Sequence, residues 1–133
     1  MKKDIDFPKV RGVSMAITRQ RNQETREYEY FVYLINDNAV ALENVLINSD
    51  GYSKGKETKT STLRHFVEKV EPETSFKVET ILPDLFRLVN QFWVSYYIDG
   101  EMYDKKFLFM PESMHNDHFS FIEAVQMEGV LHA

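Results

Sequence analysis

Residues 91–109 read QFWVSYYIDGEMYDKKFLF, two alternating aromatic runs on either side of Asp99-Gly100. An Asp-Gly pair between such runs predicts a β-hairpin with a two-residue type I′ turn, because both central positions must tolerate positive φ. That turn sets the register: Ile98 faces Glu101, Tyr96 faces Tyr103 and Phe92 faces Phe107. One face then holds Phe92, Val94, Tyr96, Ile98, Tyr103, Phe107 and Phe109, with Lys105 as its single misfit. A three-residue turn would slip the register by one, setting Phe92 against Leu108 and Tyr96 against Asp104, so the pattern itself selects two. The opposite face carries Trp93, Tyr97, Met102 and Leu108 among Ser95, Asp104 and Lys106. Trp93 falls across from Lys106, within reach of a cation–π contact.

The rest of the chain is of one kind with this hairpin. Ten Phe, seven Tyr and one Trp bring the aromatic share to 14%, which suits half-buried sheet faces better than helical bundles. At 133 residues the length fits a single domain able to bury about two-thirds of its unfolded surface. The net charge of −5 opposes generic phosphate-backbone binding, which needs a basic footprint. Lys54, Lys56 and Lys59 are interrupted by Glu57 and read as a solvated loop. With no cysteine in the chain, disulfides, thiol catalysis and cysteine-based metal sites are excluded. Residues 1–9 are polar and proline-punctuated, read as a flexible arm and a poor secretory signal. No window approaches the roughly 18 apolar residues of a membrane helix. The expected location is the cytoplasm.

Strand periodicity recurs along the chain. Val13, Met15 and Ile17 alternate with Ser14, Ala16 and Thr18. Residues 19–27 are polar throughout and read as a mobile connection. Residues 28–35 (YEYFVYLI) form a second strand that ends at the turn Asn36-Asp37-Asn38. A third strand covers 40–48, with Val45 and Ile47 on one face, a suspected bulge at Glu43-Asn44 and a close at Asp50-Gly51. In 75–81, Phe76, Val78 and Thr80 alternate with Lys77 and Glu79. Pro83 opens one helical turn over 83–89. Residues 58–70 fit both an amphipathic helix (Leu63, Phe66, Val67, Val70) and a strand (Leu63, His65, Val67). The β-branched Thr58, Thr60 and Thr62 and the corner at Pro72 favour the strand. The segment 119–133 reads as a short strand or irregular arm packed on the body.

These elements predict an all-β chain, a single immunoglobulin-like β-sandwich of about seven antiparallel strands with a short C-terminal arm. The span 28–109 resembles immunoglobulin-like modules in strand count and in its VEPETSFKVETI corner, a proline followed by a strand. It lacks the paired cysteines, and the tyrosine corner, that accompany the antibody type. The whole chain is also similar to small uncharacterised proteins of Bacteroidetes-type bacteria, a resemblance that implies no activity and no site residues.

Candidate chemistry is sparse. His115, Asp117 and His118 are the only clustered set with metal-ligand character, with Glu112 or Glu123 as further donors if the loop folds back. Histidines three apart on a polar loop more often face solvent, and His65 and His132 have no sequence reason to join them. No G-x-S-x-G nucleophile elbow occurs. The carboxylate pairs Asp4/Asp6, Glu71/Glu73 and Asp99/Glu101 sit where turns and termini ordinarily carry charge. The five glycines are too dispersed for a phosphate-cradling loop. The expectation is therefore no catalytic residue, no cofactor and no metal.

Function is expected to lie in the aromatic face of the hairpin: Trp93, Tyr97, Met102, Lys106 and Leu108. Either the N-terminal strand or the C-terminal arm covers it, or it is an exposed contact surface. The favoured reading is a non-catalytic binding or assembly module whose partner is another protein or a second copy of the chain, not nucleic acid or membrane. The alternatives are a carbohydrate-binding module, with Trp93 and Tyr97 as stacking platform and Asp104 or Lys106 serving hydroxyls, and a small hydrolase or metal-dependent enzyme.

Overall fold

A computed structural model describes residues 10–133, and among the described residues there are nine strands and no α-helix. The arm expected over residues 1–9 lies outside the described residues. In chain order the strands are β1 (Val13–Arg21), β2 (Tyr28–Asn36), β3 (Leu42–Tyr52), β4 (Leu63–Val70), β5 (Thr74–Thr80), β6 (Val89–Ile98), β7 (Glu101–Phe109), β8 (Ser120–Ile122) and β9 (Met127–His132). They form two antiparallel sheets, one ordered β5-β2-β1-β9-β8 and the other β4-β3-β6-β7. The inward residues of both meet in one core, with Met15, Ile17, Val32 and Leu34 from the first sheet against Ile47, Phe92, Val94 and Phe107 from the second.

The β6–β7 hairpin has the expected register, with Phe92 opposite Phe107, Tyr96 opposite Tyr103 and Ile98 opposite Glu101. Asp99 and Gly100 have φ of 52° and 76°, as a type I′ turn requires. On its core face, Phe92 meets Phe109 edge-on at 5.8 Å, and Tyr96 stacks on Tyr103 at 5.3 Å. Burial, aided by the neighbouring Tyr103, pushes the Tyr96 hydroxyl up to about 12.

The ambiguous stretch 58–70 is extended over β4. Pairing with β3 sets Val67 opposite Val45 and Val70 opposite Leu42, which satisfies the backbone that a helix would have satisfied internally. The suspected bulge is present: the β3–β6 register shifts between Glu43 and Leu46, and Asn44 has φ of 49°. Asp50-Gly51 does not close β3. Gly51 pairs with Asn90 in β6, and its N–H and carbonyl are both held by Thr60, so the strand runs on to Tyr52.

Two further expectations are corrected. Residues 19–27 are not one long connection: Arg19–Arg21 extend β1, and a tight turn follows. In it, Asn22 Oδ1 accepts from the N–H groups of Glu24 and Thr25, and Arg21 donates to the Arg26 carbonyl. Of the two readings of the segment 119–133, short strand or irregular arm, the strand holds, and there are two of them. The segment folds into the β8–β9 hairpin, and β9 pairs with β1, raising the strands from about seven to nine.

Asn36 holds the crossing between sheets. It is fully buried at the end of β2. Its Nδ2 donates to the carbonyls of Val40, Val70 and Glu71, and its Oδ1 accepts from the backbone and side-chain N–H groups of Asn38. The turn signal Asn36-Asp37-Asn38 thus latches the β2–β3 connection to the β4–β5 corner. Gly12, at φ 69°, backs onto this latch so closely that a Cβ would lie 2.6 Å from Asn38 Oδ1.

Candidate functional site

The outer face of the four-stranded sheet carries exposed apolar side chains on all four strands. Strand pairing lines its residues into rows across the sheet. Arg64, Asn48, Trp93 and Lys106 form one row, and Phe66, Leu46, Ser95 and Asp104 the next. Beyond it, Glu43 pairs with Tyr97 and Tyr97 with Met102. Large apolar side chains are exposed in every strand: Phe66 at 64%, Trp93 at 46%, Met102 at 42%, Leu46 at 38% and Tyr97 at 36%. Isolated exposed apolar residues are ordinary, but a group spread over one sheet face marks a contact site.

Of the two readings of this face, covered or exposed, the described residues favour the second. Both β1 and β9 lie in the other sheet, so Trp93, Tyr97 and Met102 stay exposed, while Leu108 is half-buried. Lys106 does meet Trp93, its Nζ lying 5.3 Å from the ring centroid. In the same row, Asn48 Oδ1 is shielded from water and has no hydrogen-bond partner among the described residues. Phe66 and Leu46 escaped the sequence reading because β4 and β3 join this face only through the order of strands, which no local spacing reveals.

A second cluster also escaped. His65 of β4 approaches Glu79 of β5, Nε2 to Oε1 at 2.7 Å, and Ser49 of β3 donates its hydroxyl to the same oxygen at 3.0 Å. This clasp bridges the two sheets at the edge of a cavity of about 200 Å³ lined by Ser49, Glu79, Asn90 and Phe92 among others. Simple alternation set Glu79 on the face opposite Val78. A bulge in the β2–β5 pairing breaks that alternation, bringing Glu79 opposite the core residue Val32 and leaving Thr80 exposed. The carboxylate stands between serine and histidine, so His65 is not positioned to take the Ser49 proton, as a nucleophile–base pair requires.

Of the metal-ligand candidates, the rings of His115 and His118 lie 6.1 Å apart, centroid to centroid. Asp117 shares the 3-10 turn Asn116–His118. Glu112 is engaged instead with Lys54, whose hydrogen bond is the main cause holding its carboxyl below the usual range. Among the described residues, no group of three or more His, Cys, Asp or Glu is gathered to hold a metal ion. His132 packs its ring edge-on against Phe107 at 5.2 Å, away from this turn. Among the described residues, no helix is long and apolar enough to cross a membrane. In comparison with known proteins, the chain matches no family model and no curated sequence.

Proposed function

We propose that the chain is a non-catalytic binding or assembly module, a single immunoglobulin-like β-sandwich domain acting through the outer face of its four-stranded sheet. The strand partition supports the immunoglobulin-like assignment. β1, β2 and β5 share one sheet and β4, β3, β6 and β7 the other, matching strands A, B, E and C′, C, F, G of that architecture. β9 and β8 then extend the first sheet beyond β1.

The observation that carries the function is the exposed apolar group Phe66, Leu46, Trp93, Tyr97 and Met102, spread over all four strands of one face. Aromatic residues and methionine are enriched in protein interfaces; the aromatics bring large contact area at little entropic cost, and methionine adapts its shape to the partner. A sugar platform is less well supported, because Lys106 already lies over the Trp93 ring that a sugar would stack on.

Trp93→Ala tests this directly when unfolding and association are measured on the same variant. The expected result is association weakened by about 2 kcal/mol or more, as for an interface anchor, with a smaller loss of stability. A variant that associates like the parent but is destabilised by about 3–5 kcal/mol, as truncation of a buried aromatic gives, would retire the proposal.

A further inference from the structure

We infer that the occupant of this face is a second copy of the chain, packed about a two-fold axis that lies in the face and crosses the strands at right angles. This rests on the reading of the face as a contact surface and adds the partner and its orientation. The argument comes from the charges that flank the apolar group. At one end of the strands stand Arg64 and Lys106, with Lys56 and Lys59 beyond them around Tyr52; the exceptions are Glu57, between those two lysines, and Asp50, which accepts from Gln91. At the other end stand Glu43 and Glu68, with Lys69 as the exception. A face basic at one end and acidic at the other repels a parallel copy and attracts an antiparallel one.

The row structure makes this fit specific. An axis along the row Phe66–Leu46–Ser95–Asp104 exchanges the row before it with the row after it while keeping each strand opposite its own copy. Trp93 then meets the partner's Tyr97, and Arg64 meets the stretch of the partner's β4 that holds Glu68 and, level with Glu43 and Tyr97, Lys69. Phe66 and Leu46 lie near the axis and pack against their own counterparts, as an isologous interface requires. The two Asp104 carboxylates approach at the sheet edge, flanked by Lys106 from each copy. The face measures roughly 20 by 30 Å from strand spacing and rise. Two such faces bury on the order of 1,200 Å², the lower bound for a specific interface.

Charge reversal in two complementary variants tests the orientation. One carries Arg64→Glu and Lys106→Glu, reversing the two cations that stand in the rows of the face while leaving Lys56 and Lys59 beyond them. The other carries Glu43→Lys and Glu68→Lys, making both ends basic. All four positions are exposed, and a melting curve for each variant confirms that it folds. Masses from light scattering at low salt should show a dimeric parent. Each variant alone should associate roughly 30-fold more weakly or worse, the size of an interface hot-spot loss. An equimolar mixture of the two should regain the dimer mass, because the introduced glutamates then meet the introduced lysines.

Variants that dimerise as the parent does, or a mixture that stays monomeric, would overturn the arrangement. A parent that is monomeric at its highest soluble concentration, and whose Trp93→Ala variant keeps parental stability, would overturn only the second copy and leave the face to a different protein. A dimer that survives Phe66→Glu combined with Trp93→Glu would overturn both the inference and the reading beneath it.

Discussion

Replacing Asn36 with alanine isolates the latch that joins the two sheets. The side chain is fully buried and takes part in five hydrogen bonds, three donated to backbone carbonyls and two accepted from Asn38. Its two amide protons are shared among three acceptors, so the donated set amounts to about two full bonds. Val40 and Glu71 are exposed residues, and water can replace the amide at their carbonyls. The Val70 carbonyl is bonded in buried surroundings, and losing a donor there costs about 1–3 kcal/mol. With about 1 kcal/mol more for the freed Asn38 contacts, the expected loss is about 3 kcal/mol. For 133 residues at about 2.1 cal/mol/K each, that lowers the melting temperature by about 11 °C. Urea titration with an unchanged slope would assign the loss to the folded state. Asn36→Asp keeps the acceptor but removes the donors and buries a carboxylate, so it should be at least as damaging at neutral pH. A loss below about 1 kcal/mol for Asn36→Ala would refute the latch.

Gly100→Val should cost about 1–2 kcal/mol in urea unfolding, since a β-branched residue resists the φ of 76° at this turn; a loss under about 0.5 kcal/mol would contradict the type I′ geometry. The raised Tyr96 hydroxyl makes stability fall with alkali, because the unfolded chain gives up this proton near pH 10 while the folded one keeps it until about 12. The contribution is fully present below pH 10 and declines by about 2–3 kcal/mol as pH rises to 12; Tyr96→Phe should flatten that decline, and an unchanged slope would count against it. Chelator treatment should leave the melting temperature unchanged, since a structural metal would contribute folding free energy directly, and a drop of several degrees would reopen the case for His115 and His118.

What could be read from the residues follows how far apart in sequence the deciding contacts lie. The β6–β7 hairpin was legible because Asp99-Gly100 and the alternation around it are local and agree with each other. The bulge at Glu43-Asn44 was legible as a break in a period of two. The strand over 63–70 was favoured only because its threonines and the corner at Pro72 tipped an even pattern. The β8–β9 hairpin was missed: short strands with Phe121 and Leu131 largely exposed show no clean alternation, and pairing with β1 makes β9 a strand. Three of the five apolar residues of the candidate face were visible in the hairpin: Trp93, Tyr97 and Met102. Phe66 and Leu46 belong to it because β3 lies between β4 and β6, a long-range pairing with no local signature. The Ser49–Glu79–His65 clasp was hidden for a related reason, since the bulge beside Val78 reverses the side on which Glu79 is read.

Trp93 is the only tryptophan in the chain, so its fluorescence reports on the proposed face and on nothing else. Emission recorded across a dilution series, alongside mass from light scattering, is the most direct test of that face. A face that pairs with a second copy predicts a water-exposed, red-shifted spectrum in dilute protein that moves to the blue as the mass doubles, with acrylamide quenching falling in step. A spectrum already blue in the dilute monomer, or one that stays red while the mass doubles, would contradict it.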